Sequence, residues 1–340
     1  MLIRSSYGYT VSIVIVSYNT RELLARCLDS LLAECGRLGK GQTAEILVVD
    51  NASRDGSAAM VEARYHPTAT PVRLVSSMVN LGFGVANNVA IEAAEGRHIV
   101  LLNSDAFLHE GALGRAIAAM EAHPQAGAGG ARLLNENGSW QPSARAFHTL
   151  WRDAVVMTGM AARFPHTRLF GFPDRTWADA AEPAQVDWVT GAFMILRREA
   201  LAVTGLFDPA FFLYCEEVDL CKRLQEAGFE LWYWPQIVVT HLGGASSRTV
   251  ATHTFSKTAM QVVEWRTRSL LLYYRKHHGH QARLFRLMED AFYTVRGWRN
   301  RLSRLDWRRN RAEEAARMRE QMQRAWEATD GGRISPPKPW

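Results

Sequence analysis

Acidic side chains and a histidine occupy three separated points of the chain, each next to an apolar segment. Asp105 ends the polar triplet Asn103-Ser104-Asp105. Glu216 and Glu217 follow an aromatic-rich segment, and His241 comes soon after another apolar run. A carboxylate can hold Mg²⁺ or Mn²⁺ on a substrate diphosphate, an imidazole ligand favours manganese somewhat, and a carboxylate in an aromatic setting is a natural general base. The three points together predict a divalent metal and a general base that act on one substrate.

Each of these residues also has an ordinary structural explanation. Asp105 is well placed to cap a following helix, and a single histidine such as His241 more often belongs to a core or a loop. The pair Glu216-Glu217 is harder to explain, because adjacent buried acids lose hydration energy unless they are used or paired. Asp219 is consistent with a favourable charge at a helix N-terminus. The functional prediction therefore depends on a fold that brings the three points together.

The first hundred residues alternate between β-branched apolar runs and segments with helical periodicity. This alternation predicts a doubly wound α/β sheet, whose ligand site forms from polar residues at the carboxyl ends of the strands. The predicted strands are 12–19, 45–51, 72–75 and 98–102, and the predicted helices are 21–38, one that begins near 57, and 85–94. The polar segments expected to converge are Ser17-Tyr18-Asn19, Asp50-Asn51, Asn80–Gly84 and Asn103–Asp105.

A glycine pattern at Gly82-Phe83-Gly84, with Asn87 in the last place, is similar to the fingerprint of dinucleotide-binding proteins. That fingerprint follows the first strand of its unit and precedes an acidic residue about 20 positions further on. Earlier strands precede the glycines here, so the order disfavours an oxidoreductase that binds a nicotinamide or a flavin. A close approach of this turn to a phosphate or a sugar is the remaining prediction.

The regular alternation stops near residue 142 and then resumes. Residues 142–185 are rich in aromatic residues, Arg and Pro without periodicity, which predicts a long surface excursion. Residues 186–196 are then predicted to form a strand, and 218–227 a helix. A last strand, 230–239, leads to His241.

The positive charge is concentrated near the C-terminus. Residues 266–327 hold sixteen Arg or Lys against seven Asp or Glu, whereas the whole chain has a net charge of +6. Apolar residues recur there at helical spacing from Leu284 to Leu305, as in an amphipathic helix with a basic face. We interpret this segment either as an extension packed on the main domain or as an attachment surface for an anionic membrane. A nucleic acid is not the predicted partner, because no recognition module accompanies the arginines.

We therefore divide the chain into an α/β domain, 1–254, and a basic helical extension, 255–340, with a loose end at 334–340. No apolar run approaches the ~20 residues that cross a bilayer. The run Val11–Val16 is too short for a signal-peptide core, so we expect a cytoplasmic protein, peripheral to the inner membrane if the extension binds lipid. The four cysteines lack Cys-x-x-Cys spacing and are expected to be free, buried thiols.

Several segments, in matching order, resemble the family 2 glycosyltransferases, and most closely the rhamnosyltransferase-like branch that builds bacterial O-antigen and other surface polysaccharides. The segments that carry the resemblance are 12–19, 48–57, 80–88, 101–105, 191–198, 207–221 and 241–246. The resemblance implies a GT-A fold. It also implies an inverting transfer of a sugar from a nucleotide-diphospho-sugar to a hydroxyl of a glycan or lipid-linked acceptor.

The resemblance further implies a role for each site residue. Contacts with the nucleotide-sugar are expected from Ser17, Tyr18, Asn19, Asp50, Asn80, Gly82, Asn103 and Ser104. Asp105 and His241 are expected to hold Mg²⁺ or Mn²⁺, and Glu217 is expected to be the base, with Glu216 as the alternative. Trp188, Thr190 and Gly191 are expected on the sugar and acceptor side.

Two positions depart from the family pattern. The metal motif, usually Asp-x-Asp, has one carboxylate here, as is common in the rhamnosyl-type branch, and this predicts a modest metal affinity. The base position, usually Asp, is Glu217, whose extra methylene moves the carboxylate by about an ångström.

The branch favours dTDP-rhamnose as donor, with galactose, glucose or N-acetylglucosamine donors as alternatives. The alternative function is a non-catalytic sugar-nucleotide-binding or scaffold protein, and no pattern indicates an oligomeric state.

Overall fold

The computed structural model describes residues 6–65, 68–243, 257–301, 305–336 and 338. Three predicted features lie outside the described residues. They are the boundary between residues 254 and 255, residues 244–246 of the segment that begins at His241, and positions 302–304 of the predicted amphipathic helix. Within the described ranges, none of the helices combines the length and the apolar character needed to cross a membrane.

Four parallel strands form one half of the central sheet. They are β1 (Tyr9–Ser17), β2 (Ala44–Asn51), β3 (Val72–Ser77) and β4 (Gly96–Asn103), and they lie in the order β3-β2-β1-β4. The centre of β1 and all of β2 are buried, as expected for aliphatic parallel strands that are covered on both faces. The carboxyl ends of these strands therefore meet at one edge of the sheet.

Helices cover both faces of these strands. They are α1 (Arg21–Cys35), α2 (Ser57–Arg64) and α3 (Phe83–Ala93). Because side chains alternate along a strand, neighbouring residues of β1 enter different halves of the core. Ile13 and Ile15 pack with residues of α1, whereas Val14 packs with residues of α3.

The second half of the sheet is mixed. Its elements and their surroundings are β5 (Ala106–Leu108), α4 (Ala112–Ala122), β6 (Ala126–Leu134), β7 (Trp140–Gln141), β8 (Ala144–Arg145), α5 (Leu150–Met157), α6 (Met160–Arg163), β9 (Ala184–Gln185), β10 (Trp188–Val189), β11 (Phe193–Arg197), α7 (Arg198–Thr204), α8 (Glu216–Glu226) and β12 (Glu230–His241). The complete order is β3-β2-β1-β4-β11-β6-β12-β5, with β7 beside β6 and β9 beside β12. β8 and β10 form a separate two-stranded sheet.

Three long helices complete the described chain: α9 (Lys257–His278), α10 (Gln281–Arg301) and α11 (Asp306–Ala328). Leu271, Tyr273 and Tyr274 of α9 are buried in the same apolar cluster as residues of β4 and α8. The C-terminal region thus contributes directly to the core that surrounds α8.

The predicted doubly wound sheet and the C-terminal helical extension are confirmed, and the four cysteines are free and buried. The single strand predicted over 186–196 is wrong, because the chain leaves β10 at Thr190 and joins the main sheet only at Phe193. The amphipathic helix predicted from Leu284 to Leu305 is present as α10 up to Arg301, but Leu305 has an extended backbone directly before α11. Residues 112–134, which form α4 and β6, carried no prediction because their many Ala and Gly residues give little periodic signal.

Candidate active site

Buried hydroxyl groups join the loops that follow β1 and β4. The Ser17 and Thr20 hydroxyls lie 3.0 Å apart, and the Thr20 hydroxyl donates to Ser104 Oγ at 2.9 Å. Ser17 and Ser104 are buried, so their side chains fix the shape of the sheet edge. Tyr18 is 38% exposed and lies between these buried residues in sequence, on the surface of the same edge.

The ends of β1 and β2 are also joined, through strained backbone. The Asn19 N–H donates to Ser53 Oγ at 3.0 Å, and Asn19 Oδ1 accepts from the Arg54 N–H at 2.8 Å. Asn19 and Ala52 have φ of 54° and 66°, which L-residues rarely adopt outside functional sites and tight turns. Asp50 Oδ2 accepts from the Ser53 N–H, while its buried Oδ1 has no hydrogen-bond partner among the described residues. This oxygen is therefore available to a donor outside the described residues.

Asn51, at the end of β2, holds the loop that follows β3. Its Nδ2 donates to Asn80 Oδ1 at 2.9 Å, and its Oδ1 accepts from the Leu81 N–H at 2.7 Å. Gly82 has a φ of 79°, and a Cβ at this position would lie 2.2 Å from the carbonyl oxygen of Phe212. Only glycine fits there. We assigned no separate role to Asn51 from the sequence. Its position directly after Asp50, an acidic residue near the end of a strand, was the signal that could have identified it.

The pairing of β5 with β12 brings Asp105 against His241. His241 lies opposite Ala106 in this antiparallel pair, and the Leu242 N–H donates to the carbonyl oxygen of Asp105 at 3.1 Å. His241 Nε2 lies 3.4 Å from Asp105 Oδ1 and 3.2 Å from Asn103 Nδ2. The two predicted metal ligands, far apart in sequence, are thus neighbours in the fold.

Asp105 and His241 suit a divalent cation. A carboxylate oxygen and an imidazole nitrogen are common ligands of such ions. The separation of 3.4 Å is close to that of neighbouring ligands on one ion with bonds of about 2.1 Å. In the part of the chain that the structure describes, no group of three or more His, Cys, Asp or Glu side chains could hold a metal. Two protein ligands fit an ion that is bound together with an anionic substrate.

Glu216 and Glu217 begin α8 after two residues in the left-handed conformation. Tyr214 and Cys215 have φ of 70° and 64°. Such a backbone costs about 1–3 kcal/mol for each residue that is not glycine, and it concentrates at functional sites. One carboxylate oxygen of each glutamate is buried without a hydrogen-bond partner among the described residues. The strained turn therefore places two glutamates, each with one carboxylate oxygen that lacks such a partner, in the first turn of α8.

The surroundings of the two glutamates differ. Burial raises the pKa of Glu216 well above its usual value, and the charge of Glu217 raises it further. Burial also raises the pKa of Glu217, but the charges of Arg145 and His148 and the backbone N–H of Gly191 oppose this rise. The charge of Arg145 favours the ionised form of Glu217, which is the form that a general base requires.

Arg145 and His148 were not among the predicted site residues. Arg145 lies opposite Trp188 in the β8–β10 pair, with its guanidinium carbon 5.5 Å from the centre of the indole ring. His148 Nδ1 lies 2.8 Å from Asp153 Oδ1. Both residues belong to the segment that was interpreted as a surface excursion, and its lack of periodicity concealed them.

The three residues predicted for the sugar and acceptor side, Trp188, Thr190 and Gly191, lie in different surroundings. Trp188 is buried, and its indole N–H donates to a backbone carbonyl, so the ring supports the wall of the site. The hydroxyl of Thr190 is buried and has no hydrogen-bond partner within the described ranges. The N–H of Gly191 lowers the pKa of Glu217, and a Cβ at this position would lie 2.9 Å from the Phe83 ring. Of the three residues, Gly191 is therefore the one that influences the acid.

Comparison with known proteins identifies the family and the fold. Residues 12–202 match the family described as Glycosyl transferase family 2. The N-acetylglucosaminyl-diphospho-decaprenol L-rhamnosyltransferase of Mycobacterium tuberculosis H37Rv is 31% identical over 257 residues, 71% of this chain and 79% of that protein. Rhamnosyltransferase WbbL of Escherichia coli K12 is 32% identical over 108 residues, 32% of this chain and 38% of the relative. The structure of mannosyltransferase PcManGT from Pyrobaculum calidifontis, in complex with GDP-Man and Mn²⁺, has a TM-score of 0.57 at 16% identity and covers 95% of this chain and 88% of that one.

The fold, with its mixed sheet and strand-end site, is that of the GT-A glycosyltransferases. The chain belongs to glycosyl transferase family 2. The resemblance to the rhamnosyltransferase-like branch is confirmed by the relatives, and the reaction class is glycosyl transfer in polysaccharide synthesis.

Proposed function

We propose that this chain is an inverting, metal-dependent glycosyltransferase that moves rhamnose from dTDP-rhamnose to a hydroxyl of a glycan or lipid-linked acceptor in bacterial surface-polysaccharide synthesis. One connection carries the proposal. The N–H of Gly191 lowers the pKa of Glu217, and the carbonyl oxygen of the next residue, Ala192, accepts from the Asn103 N–H at 3.1 Å. The segment beside Glu217 is thereby hydrogen-bonded to the strand end that leads to Asp105. The rhamnosyltransferase relatives support the choice of donor and acceptor.

The nucleotide is proposed to bind at the ends of β1 and β2. Asp50 offers its unsatisfied oxygen to an N–H donor of the base, and the exposed ring of Tyr18 offers a stacking surface. Asn19, Asn80 and Gly82 shape the adjacent loops. Ser17, Ser104 and the backbone of Asn103 are proposed to act mainly by holding this edge in place, because both serine side chains are buried.

The metal is proposed to be held by Asp105 and His241. When bound, a divalent cation neutralises the charge that develops on the leaving diphosphate. The imidazole favours Mn²⁺ somewhat over Mg²⁺, and the single carboxylate favours a modest affinity. Asn103 lies within hydrogen-bond distance of His241 and helps to hold the ring in place.

Glu217 is proposed to be the general base. It accepts the proton of the acceptor hydroxyl as that oxygen forms a bond to C1 of the sugar. The bond between C1 and the diphosphate oxygen breaks on the opposite face, and the diphosphate leaves with the bonding electrons, so the anomeric centre is inverted. Burial and the charge of Glu217 raise the pKa of Glu216, and a proton on Glu216 avoids a second negative charge beside the base.

The first experiment is a screen of nucleotide-sugars for binding and turnover with Mn²⁺ or Mg²⁺. We expect binding to depend on the metal and to be lost in Asp105→Ala. Glu217→Gln should lose turnover but keep binding. The exposed Glu182 provides the control substitution Glu182→Gln, which should change neither property. Binding without turnover in the wild type would favour the scaffold alternative. Absence of binding to every nucleotide-sugar would contradict the proposal.

The C-terminal helices are proposed to attach the enzyme to an anionic membrane surface. One face of α10 carries large exposed apolar residues, with exposed fractions of 46% for Leu284, 63% for Leu287, 55% for Val295 and 70% for Trp298. Exposed arginines border this face at positions 283, 299 and 301. An apolar stripe flanked by arginines fits the interface of an anionic bilayer, where lipid-linked acceptors are held. The proposal places the reaction at the cytoplasmic face of the inner membrane.

A further inference from the structure

A chain of hydrogen bonds with a defined direction leads from the turn 135–139 to His241. The backbone N–H and the hydroxyl of Ser139 lie 3.0 and 2.6 Å from Asn137 Oδ1. A backbone N–H can only donate, so this atom of Asn137 is an amide oxygen, and the Ser139 hydroxyl must also donate to it. The hydroxyl proton is then used, and Ser139 Oγ accepts from Asn135 Nδ2 at 2.9 Å.

The same direction continues through Gln141, on β7. Asn135 uses its Nδ2 on Ser139, so its Oδ1 accepts from Gln141 Nε2 at 3.1 Å. The amide oxygen of Gln141 therefore faces His241 Nδ1, at 2.8 Å. An amide oxygen can only accept, so the neutral imidazole carries its proton on Nδ1. Nε2, which lies 3.2 Å from Asn103 Nδ2 and 3.4 Å from the carboxylate oxygen of Asp105, keeps its lone pair.

We propose that Gln141 is a positioning residue that fixes His241 as the Nδ1–H tautomer, so that Nε2 is ready to bind the metal. The metal part of this inference rests on the proposed function, whereas the tautomer does not. Side chains that hold the second nitrogen of a metal-binding histidine set both its tautomer and its orientation. The turn 135–139, where this series of hydrogen bonds begins, is stabilised by its backbone. Gly138 has a φ of 77°, and its N–H donates to the carbonyl oxygen of Asn135 at 2.9 Å.

The tautomer can be read directly from ¹⁵N NMR shifts of the histidine side chains in the full chain without metal. The measurement is made above about pH 8, where an ordinary imidazole is neutral, and His241→Asn identifies the signals. We expect the Nδ1–H form in the wild type and its loss in Gln141→Met. Gln141→Glu should retain it, because a carboxylate oxygen accepts the same hydrogen bond. The matched control is Gln185→Met, on the exposed surface of β9, which should leave the signals unchanged.

The second readout is the affinity for Mn²⁺ in the presence of dTDP, measured by calorimetry. Gln141→Met should weaken it about 10–100-fold, the usual effect of losing such a partner, and Gln141→Glu should restore most of it. An Nε2–H tautomer in the wild type, or a tautomer unchanged in Gln141→Met, would overturn the inference. A wild type that binds no Mn²⁺ would refute the metal in the proposed function, and the NMR result would still decide the role of Gln141.

Discussion

His277 Nε2 lies 2.8 Å from Oδ1 of Asp219, and this contact ties α9 to the helix that begins with the two glutamates. Asp219 is fully buried, and Arg223 and Lys276 also reach its carboxylate, at 2.9 and 2.6 Å. Burial alone would raise the pKa of Asp219, but the hydrogen bond from His277 and the two cations lower it to about 2. Asp219 is therefore more than a favourable charge at a helix N-terminus. It anchors the C-terminal region to α8.

The substitution Asp219→Asn should destabilise the protein strongly. It leaves His277, Arg223 and Lys276 around a neutral group, and removing one partner of a buried ion pair typically costs about 3–5 kcal/mol. The measurement is the free energy of unfolding in urea near pH 7, where the carboxylate of Asp219 is ionised in both the folded and the unfolded chain.

The control for this substitution is Asp290→Asn, which breaks an ion pair with Arg319 at 2.8 Å between half-exposed side chains. Exposed pairs contribute about 1 kcal/mol or less. If Asp219→Asn lost no more stability than Asp290→Asn, Asp219 would not be an anchor.

The substitution Gly82→Ala should damage both stability and nucleotide-sugar binding. The added Cβ would lie 2.2 Å from the Phe212 carbonyl oxygen, and the φ of 79° is unfavourable for alanine. The loop that carries Asn80 must therefore shift, which disturbs the hydrogen bond between Asn80 and Asn51. The free energy of unfolding and the affinity for dTDP-rhamnose are the two measurements.

Gly41→Ala is the matched control for Gly82→Ala. Gly41 has a φ of 86°, and nothing lies within 4 Å of the position a Cβ would take. It should therefore show only the conformational cost of about 1–2 kcal/mol, with unchanged binding. Similar losses in the two variants would show that the contact with Phe212 does not matter.

The sequence predicted the parts of this molecule that periodicity and strand-end chemistry determine. The aliphatic runs identified β1, β2 and β4, and the polar residues after them do meet at one edge. The contact between Asp105 and His241 depends on β5, a strand of three residues that leaves almost no pattern in the sequence. Arg145 was equally hidden, because it reaches the site from a short strand within an aperiodic segment. Local sequence patterns do not show which short strands pair when they are far apart in the chain.

Binding to anionic vesicles should depend on the exposed face of α10. The double substitution Leu287→Glu and Trp298→Glu places two negative charges where apolar contacts worth about 1.5–3 kcal/mol each are expected. Co-sedimentation with vesicles that contain phosphatidylglycerol should weaken at least tenfold, and added salt should weaken the wild type because the arginines act by charge.

Val203→Glu tests whether any exposed apolar residue would have the same effect. Val203 is 66% exposed and belongs to α7 rather than to the C-terminal helices, and this substitution should leave vesicle binding intact. Sedimentation velocity should be measured on each variant. If the double substitution dissociated an oligomer and left vesicle binding unchanged, the face would be an interface between copies of the chain.

The rate of sugar transfer should depend on pH through Glu217, and Arg145 should set the position of that dependence. A base must be ionised, so kcat/KM should fall as the pH drops through the pKa of Glu217, which burial raises above its ordinary value. The positive charge of Arg145 opposes this rise. Arg145→Gln should therefore raise the pKa further and move the rising limb of the pH profile to higher pH, with much of the activity recovered there. Arg64→Gln, which removes an exposed partner of Asp29, should leave the profile in place. A uniform loss of activity in Arg145→Gln, with an unchanged midpoint, would show that Arg145 shapes the acceptor wall and does not control the charge of the base.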